Sequence, residues 1–302
     1  MRRRTMAAAA ALGAVFALGG CTGLPPGVDG DLTDGWSAMP QPKVVVPVVG
    51  ACYAVPSTGV SPGDDPTTSC TTKHDVETVY VGTFTGADAE RSAPPAKGSP
   101  ALVTVFGDCR KNATAYMGDD FDLGLLDLLM VMPTAPAWKG GARWYRCDIA
   151  RYRDMNYRTL GGEGSVKDGL RGDRPLAVTC AVVTDDGKNA ITDRRAIACS
   201  APHNAEAAGL FTAPDVPWPA DETARYNMAS RGCEGVVARY LGESGGQVDN
   251  PVLGWGWDGL GQTSWELGDR SIRCFVMGFK NGSTNGVRFT GSVKGIGTKA
   301  PK

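Results

Sequence analysis

The chain has 302 residues, with 31 Lys and Arg against 32 Asp and Glu, for a formal net charge of −1. That balance excludes the basic field that holds nucleic acid and also an acidic interaction tail. The length suits about two domains of ordinary size, and frequent Gly and Pro beside an ordinary apolar fraction suit a loop-rich globular protein rather than a disordered one.

Arg2-Arg3-Arg4 open the chain, an apolar run from Met6 to Leu18 follows, and Leu18-Gly19-Gly20-Cys21 closes it. The run is too short to span a bilayer and ends in small residues, as a signal peptide does. A small-small-Cys ending is the bacterial lipobox pattern. Residues 1–21 are therefore expected to be a lipoprotein signal, with Cys21 acylated as the new N-terminus. The arginines lack the continuation of a twin-arginine signal, so general secretion is expected. Residues 22–48, rich in Pro, Gly and Asp without periodicity, read as a flexible tether. No later segment is apolar enough to span a bilayer. The expected location is extracytoplasmic, lipid-anchored to the outer face of the bacterial cell membrane, where disulfides persist.

From residue 49 onward the chain reads as a repeat. Cys70-Thr-Thr-Lys-His74-Asp-Val-Glu77 returns about 130 residues later as Cys199-Ser-Ala-Pro-His203-Asn-Ala-Glu206, and these are the only two histidines. In the first half Cys52 and this motif are followed by a β-type run, Val79 to Phe84. A helix starts at Ser99-Pro100, carries Cys109, and ends Tyr116-Met117-Gly118. Then come Trp138-x2-Gly141-x-Arg143-x2-Arg146-Cys147 and Gly164-Ser165-Val166-Lys167. The second half repeats the order: Cys180, the motif, and a helix from about Asp221 with Cys233, ending Tyr240-Leu241-Gly242. Trp265-x2-Gly268-x-Arg270-x2-Arg273-Cys274 and Gly291-Ser292-Val293-Lys294 complete it. Such ordered self-similarity is the signature of a duplication.

Ser99 with Pro100 reads as a helix start, Gly118 and Gly242 as stops, and the apolar residues from Cys233 to Leu241 recur on one helical face. Val44 to Val49, Leu176 to Val183 and Ile272 to Val276 read as strands, with Asp185-Asp186-Gly187-Lys188 a turn. Phe121 to Val131 reads as an additional short helix. The expected architecture is α+β: two tandem homologous domains at 49–172 and 173–297, each a mostly antiparallel sheet with one main helix, and a tail at 298–302.

Nine cysteines less Cys21 leave eight, four in each half. Four allow three pairings per half, and sequence alone does not decide. The preferred set is Cys52–Cys70 and Cys180–Cys199 between neighbouring strands, with Cys109–Cys147 and Cys233–Cys274 stapling helix to sheet. Each would contribute roughly 3 to 4 kcal/mol.

His74 with Glu77, and His203 with Glu206, share one face if the motif is a helical turn, and a nearby reduced cysteine could complete a metal site. An oxidising compartment argues instead that the cysteines are bridged and the imidazoles fix turns, so no metal and no cofactor is expected. A ligand or partner contact through His74, Glu77, His203 and Glu206 is the second reading, and these four are candidate binding residues. Trp138 and Trp265 read as buried, with the following arginines pairing to Glu77 and Glu206. Trp255 and Trp257, on a Gly-rich loop of the second half alone, are candidates for a glycan-binding platform. Asp119, Asp120 and Asp122 could pair as acid and base, but read first as a solvated turn. No familiar catalytic motif is present, so no catalytic residue is assigned.

With its lipobox, Cys199-x2-Pro202-His203-x2-Glu206, cysteine-bearing helices and Trp-x2-Gly-x-Arg-x2-Arg-Cys stretches, the chain resembles the septum formation family of high-GC Gram-positive bacteria, across both halves. Lys73 replaces the proline in the first half, and a Pro/Gly/Asp insert precedes Cys70. The resemblance implies a tethered cell-envelope protein with a non-enzymatic binding or structural role in division, partnered by the membrane and by wall glycan or envelope proteins. The rival expectations are a cell-wall hydrolase using His203 and Glu206, and a small-ligand carrier working in a cleft between the domains.

Overall fold

A computed structural model describes residues 44–57, 65–187, 191–280, 283–284 and 287–302. The signal segment with Cys21 and all but the last residues of the tether lie outside the described residues. Val44 to Lys302 form one compact unit. It contains two five-stranded antiparallel sheets, each with one long helix.

The first sheet comprises β1 (Cys52–Tyr53), β2 (Thr67–Thr68), β3 (Val76–Thr83), β4 (Leu126–Val131) and β5 (Trp144–Arg151) in the order β2-β1-β3-β5-β4. The short helix α1 (Gly86–Ala89), the long helix α2 (Pro100–Met117) and the short helix α3 (Ala135–Lys139) accompany it. The second comprises β6 (Cys180–Asp185), β7 (Ile191–Ile197), β8 (Ala205–Thr212), β9 (Leu253–Asp258) and β10 (Ser271–Gly278) in the order β7-β6-β8-β10-β9, with long α4 (Glu222–Leu241) and short α5 (Gln262–Glu266). Matched strand for strand, the two orders are the same.

The long helices form where the sequence places their signals. Pro100 sits in the first turn of α2, and Gly118 ends it at φ 94°, a left-handed conformation that glycine adopts at little cost. The Asp221 carboxylate accepts the Ala224 N–H at 2.7 Å to cap α4, and Gly242 ends that helix at φ 82°. Leu102, Val105, Phe106, Cys109, Ala113 and Met117 line the buried face of α2; Ala229, Cys233, Val236, Val237 and Leu241 line that of α4. Both sets follow helical spacing. The bridges are Cys52–Cys70, Cys109–Cys147, Cys180–Cys199 and Cys233–Cys274, the preferred pairs, and none crosses between halves.

Three expected elements are corrected. Val44 to Val48 form no strand, and their valines are largely exposed: Pro47 offers no N–H, and β1 already has β2 and β3 on its two sides. Phe121 to Val131 is not a helix. A 3-10 turn at Phe121–Leu123 ends at Gly124, and β4 follows with the alternation of an edge strand. The strand expected from Leu176 starts at Cys180, because the preceding residues pair with the first half: Ala177 bridges Gly124, and Val178 N–H donates to Leu123 O at 2.8 Å.

Further contacts join the halves. Met155 is buried among Val178, Ala181, Val183, Ala205, Phe275 and Met277, on the face of the second sheet away from α4. Tyr157 OH accepts from Arg273 at 2.9 Å, and Arg110 reaches Asp269 at 3.1 Å.

Candidate functional site

The repeated motif is a clamp. His74 and His203 are buried and lie in extended backbone, bridged to Gly162 and Phe289, so the helical turn expected for the motif does not form. Each Nδ1 meets a carbonyl oxygen two residues back, Thr72 O at 2.8 Å and Ala201 O at 2.7 Å. A carbonyl only accepts, so each ring carries its proton on Nδ1. The His203 ring packs edge-on to Phe289, with centroids 4.6 Å apart.

Each glutamate gathers three landmarks of the repeat. Glu77 Oε1 accepts from Tyr116 OH and Ser165 Oγ, both at 2.7 Å, and Oε2 accepts the Val166 N–H at 2.7 Å. Glu206 accepts from Tyr240 OH at 2.6 Å, Ser292 Oγ at 2.5 Å and the Val293 N–H at 2.8 Å. Above each carboxylate the loop glycine donates to the motif cysteine, Gly164 N to Cys70 O at 2.7 Å and Gly291 N to Cys199 O at 2.8 Å. One carboxylate thus ties the end of the long helix and the Gly-Ser-Val-Lys loop to the sheet. Burial, with the neighbouring glutamate second, pushes the Tyr116 and Tyr240 phenols up to about 12.

Cys52, Cys70 and Glu77, and likewise Cys180, His203 and Glu206, place one donor atom each within 4.8 Å of one another. The sulfurs are in disulfides and the carboxylate oxygens are engaged by three donors, so neither cluster offers a thiolate or a free carboxylate to a metal.

Trp138 and Trp265 are buried. Their indole N–H groups donate to Arg91 O and Val216 O, both at 2.7 Å, while the Arg143 and Arg270 guanidinium groups lie 4.3 and 4.2 Å from the ring centroids. The expected pairing of arginine with Glu77 or Glu206 is absent. Arg146 meets Asp65 at 2.7 Å and Asp148 at 2.8 Å, and Arg273 meets Asp258 at 3.3 Å. The cause is the two-residue period of a strand. Glu77 pairs in register with Ile149, two residues from Cys147, so all three share the face toward α2 and Arg146 points to the other. Glu206 pairs with Val276, and the same parity turns Arg273 away.

Asp120 and Asp122 are not a free acid–base pair. Both meet Arg110, at 2.6 and 2.7 Å, with Asp269 at 3.1 Å from the other half, while Asp119 pairs with Arg174 at 3.2 Å. Three carboxylates around one guanidinium leave excess negative charge in a half-buried place. Burial and the charge of Asp269 push Asp122 up from 3.8 to about 7. A carboxyl whose folded pKa lies above its unfolded one binds its proton more tightly when folded, so it favours folding below the unfolded value and loses that contribution as pH rises from about 4 through about 7. Asp122→Asn is therefore expected to gain in melting temperature relative to wild type across that interval. A difference that stays constant with pH would contradict this reading.

Trp255 and Trp257 lie on edge strand β9 rather than on a loop; their period-two alternation with Gly254 and Gly256 is a strand signal. They pair with Val276 and Cys274 and so face α4, where Trp255 Nε1 donates to Ser230 Oγ at 3.0 Å and Trp257 stands edge-on to Tyr226 at 5.0 Å. Both are half-buried. Beside them a cavity of about 460 Å³ takes its walls from both faces of the sheet, with Met155, Val183, Phe275, Met277 and Phe279 its apolar lining. The glycines make this wall possible: a Cβ on Gly256 would fall 2.2 Å from Met277 Sδ, and one on Gly254 2.9 Å from the Phe279 ring. Sequence reading found the tryptophans and missed the rest, which comes from the loop at Met155, from β6, β7, α4 and β10, and from Thr284. A second hollow of about 410 Å³ lies between the halves, where Leu126, Arg151 and Tyr152 face Val178, Thr179 and Ile197.

Fold and clamps define a class: a disulfide-braced α+β protein of two sheets, each closed by a buried glutamate. The family model described as "Septum formation" matches residues 49–274, three quarters of the chain, and the chain belongs to the septum formation family. Membership carries a role related to cell division. Neither a curated protein nor a solved structure matches the chain. Among the described residues no helix is long and apolar enough to cross a membrane.

Proposed function

We propose that this protein is a lipid-anchored, extracytoplasmic binding protein of the bacterial envelope that acts without enzymatic chemistry in building the division septum. In this reading the two halves arose by tandem duplication. Cys21 carries the lipid, residues 22–48 hold the folded part away from the membrane, and the second half recognises an envelope component at β9.

The observation that carries the binding assignment is the difference between the equivalent edge strands. Through their pairing with β5 and β10, Leu128, Leu129 and Met130 of β4 correspond to Trp255, Gly256 and Trp257 of β9. The first half keeps large aliphatic side chains at all three places. The second alternates tryptophan with glycine and has the cavity beside it. His203 and Glu206, the residues a hydrolase would use, have their contacts within the clamp.

Fractionation of cells fed labelled palmitate tests the anchor. The full chain is expected in the membrane fraction carrying label, and Cys21→Ser is expected without it. An unlabelled wild-type protein would overturn the anchored reading.

A further inference from the structure

We infer that the β9 cavity is a site for an amphipathic anion: an apolar body among the tryptophans and methionines, with a single carboxylate or phosphate head on Arg194. This deepens the binding reading above and rests on it. The volume, about 460 Å³, lies within the range of small-molecule sites. Its lining is dominated by Trp255, Trp257, Tyr226, Phe275, Phe279 and Met277, with few polar side chains. A saccharide would need several converging hydrogen-bond partners there, and the described residues of the wall do not offer them. An apolar body needs none, and thioether and ring atoms contact one favourably.

Two charged side chains reach the cavity, and they differ in kind. Asp185 is already satisfied: it accepts the Thr284 N–H at 2.6 Å, Thr284 Oγ1 at 2.9 Å, Ser283 Oγ at 3.0 Å and the Gly187 N–H at 2.8 Å. Those donors, the Thr284 N–H foremost, hold its carboxyl below the usual range. Its oxygens are occupied by donors of the chain itself, so it offers the cavity no free acceptor. Arg194, on edge strand β7, is half-buried, and among the described residues its guanidinium has no hydrogen bond or ion pair, although its backbone carbonyl accepts from Asn156. Arg110, Arg146 and Arg273, by contrast, are engaged: Arg110 by three aspartates, Arg146 by two, and Arg273 by Asp258 and Tyr157. A guanidinium left open at the mouth of an apolar cavity is complementary to a planar or tetrahedral oxyanion.

Carboxylate and phosphate share this chemistry, and short water-soluble probes separate them. The full-length acylated chain in phosphatidylcholine discs is titrated calorimetrically with octanoate, octyl phosphate, octanol and a chitin tetrasaccharide, with empty discs subtracted. Wild type is expected to bind one of the two anions saturably and at least about tenfold more tightly than octanol. Whichever anion binds more tightly identifies the head group. Arg194→Ala is expected to weaken anion binding about tenfold, the scale of one charge-assisted contact, while leaving octanol unchanged. Arg194→Lys, which keeps the charge on a solvent-facing strand, is expected to restore most of the affinity. Octanol binding as tightly as the anions, an unaltered Arg194→Ala, or tetrasaccharide as the only ligand would each overturn the proposal. In the last case the envelope-binding reading survives and this ligand class fails. Binding of none of the four probes to a folded wild type would also reject the ligand class.

Discussion

A chain carrying Cys233→Ala together with Cys274→Ala is expected to lose about 4 kcal/mol of stability, within the usual range of about 2 to 5 kcal/mol for removing a native bridge. The bridge closes a loop with a sequence separation of 41, and both half-cystines have no exposed surface. Loop closure restricts the unfolded chain, and the longer loop restricts it more. Removing two buried sulfurs also leaves unfilled space between α4 and β10. The Cys180–Cys199 bridge spans a separation of only 19, and Cys199 is partly exposed, so its removal should cost less. Urea denaturation under oxidising conditions measures both. A doubly substituted chain with the wild-type midpoint would show that the helix is held by packing alone.

The second large effect concerns Glu206. Glu206→Ala strips the acceptor from the Tyr240 hydroxyl, the Ser292 hydroxyl and the Val293 N–H in one step. Leaving a buried donor unmade costs about 1 to 3 kcal/mol. Water can reach part of the tyrosine and serine, so the total should be about 3 to 5 kcal/mol rather than the full sum. Glu206→Gln should cost less, because one oxygen remains to accept. It offers a readout that general damage would not give. The Tyr240 phenol, raised to about 12 by burial and then by Glu206, should titrate at lower pH once the neighbouring charge is gone. A difference titration of tyrosinate absorbance detects that shift. An unshifted phenol, in a folded Glu206→Gln chain, would mean that the contact does not persist in solution.

The residues that made the repeat visible are those of the clamp. Tyr240 at a helix end, Gly291-Ser292-Val293 in a late loop and Glu206 on a strand have different secondary structures, so no periodicity links them. They recur together because they share one carboxylate. The same holds for Tyr116, Gly164-Ser165-Val166 and Glu77. Helices α2 and α4 were legible from their caps and buried stripes. Strand β4 was not: Phe121 to Val131 is apolar on both sides of its period, and short apolar runs do not separate strand from helix.

The arginine contacts differ from those expected because of strand parity. Arg146 and Arg273 adjoin cysteines that face the helices, and adjacent residues on a strand point opposite ways. The tryptophans at 255 and 257 could be picked out as unusual, but not the cavity, whose walls come from Met155, Val183, Arg194, Tyr226 and Phe279 across both halves. Nor did the spacing point to Arg110 gathering Asp120, Asp122 and Asp269: the first two meet it through the turn after α2, and Asp269 joins only where the halves pack.

The central claim is that recognition lies at the β9 edge while the duplicated motif serves only to hold the fold. It is tested most directly by imaging the full-length chain in dividing cells, as wild type and as Trp257→Ala, with a melt of each purified protein beside the images. The account predicts wild type concentrated at septa and a folded, membrane-bound Trp257→Ala spread evenly around the cell. A wild-type chain spread evenly, or a Trp257→Ala chain still concentrated at septa, would contradict it.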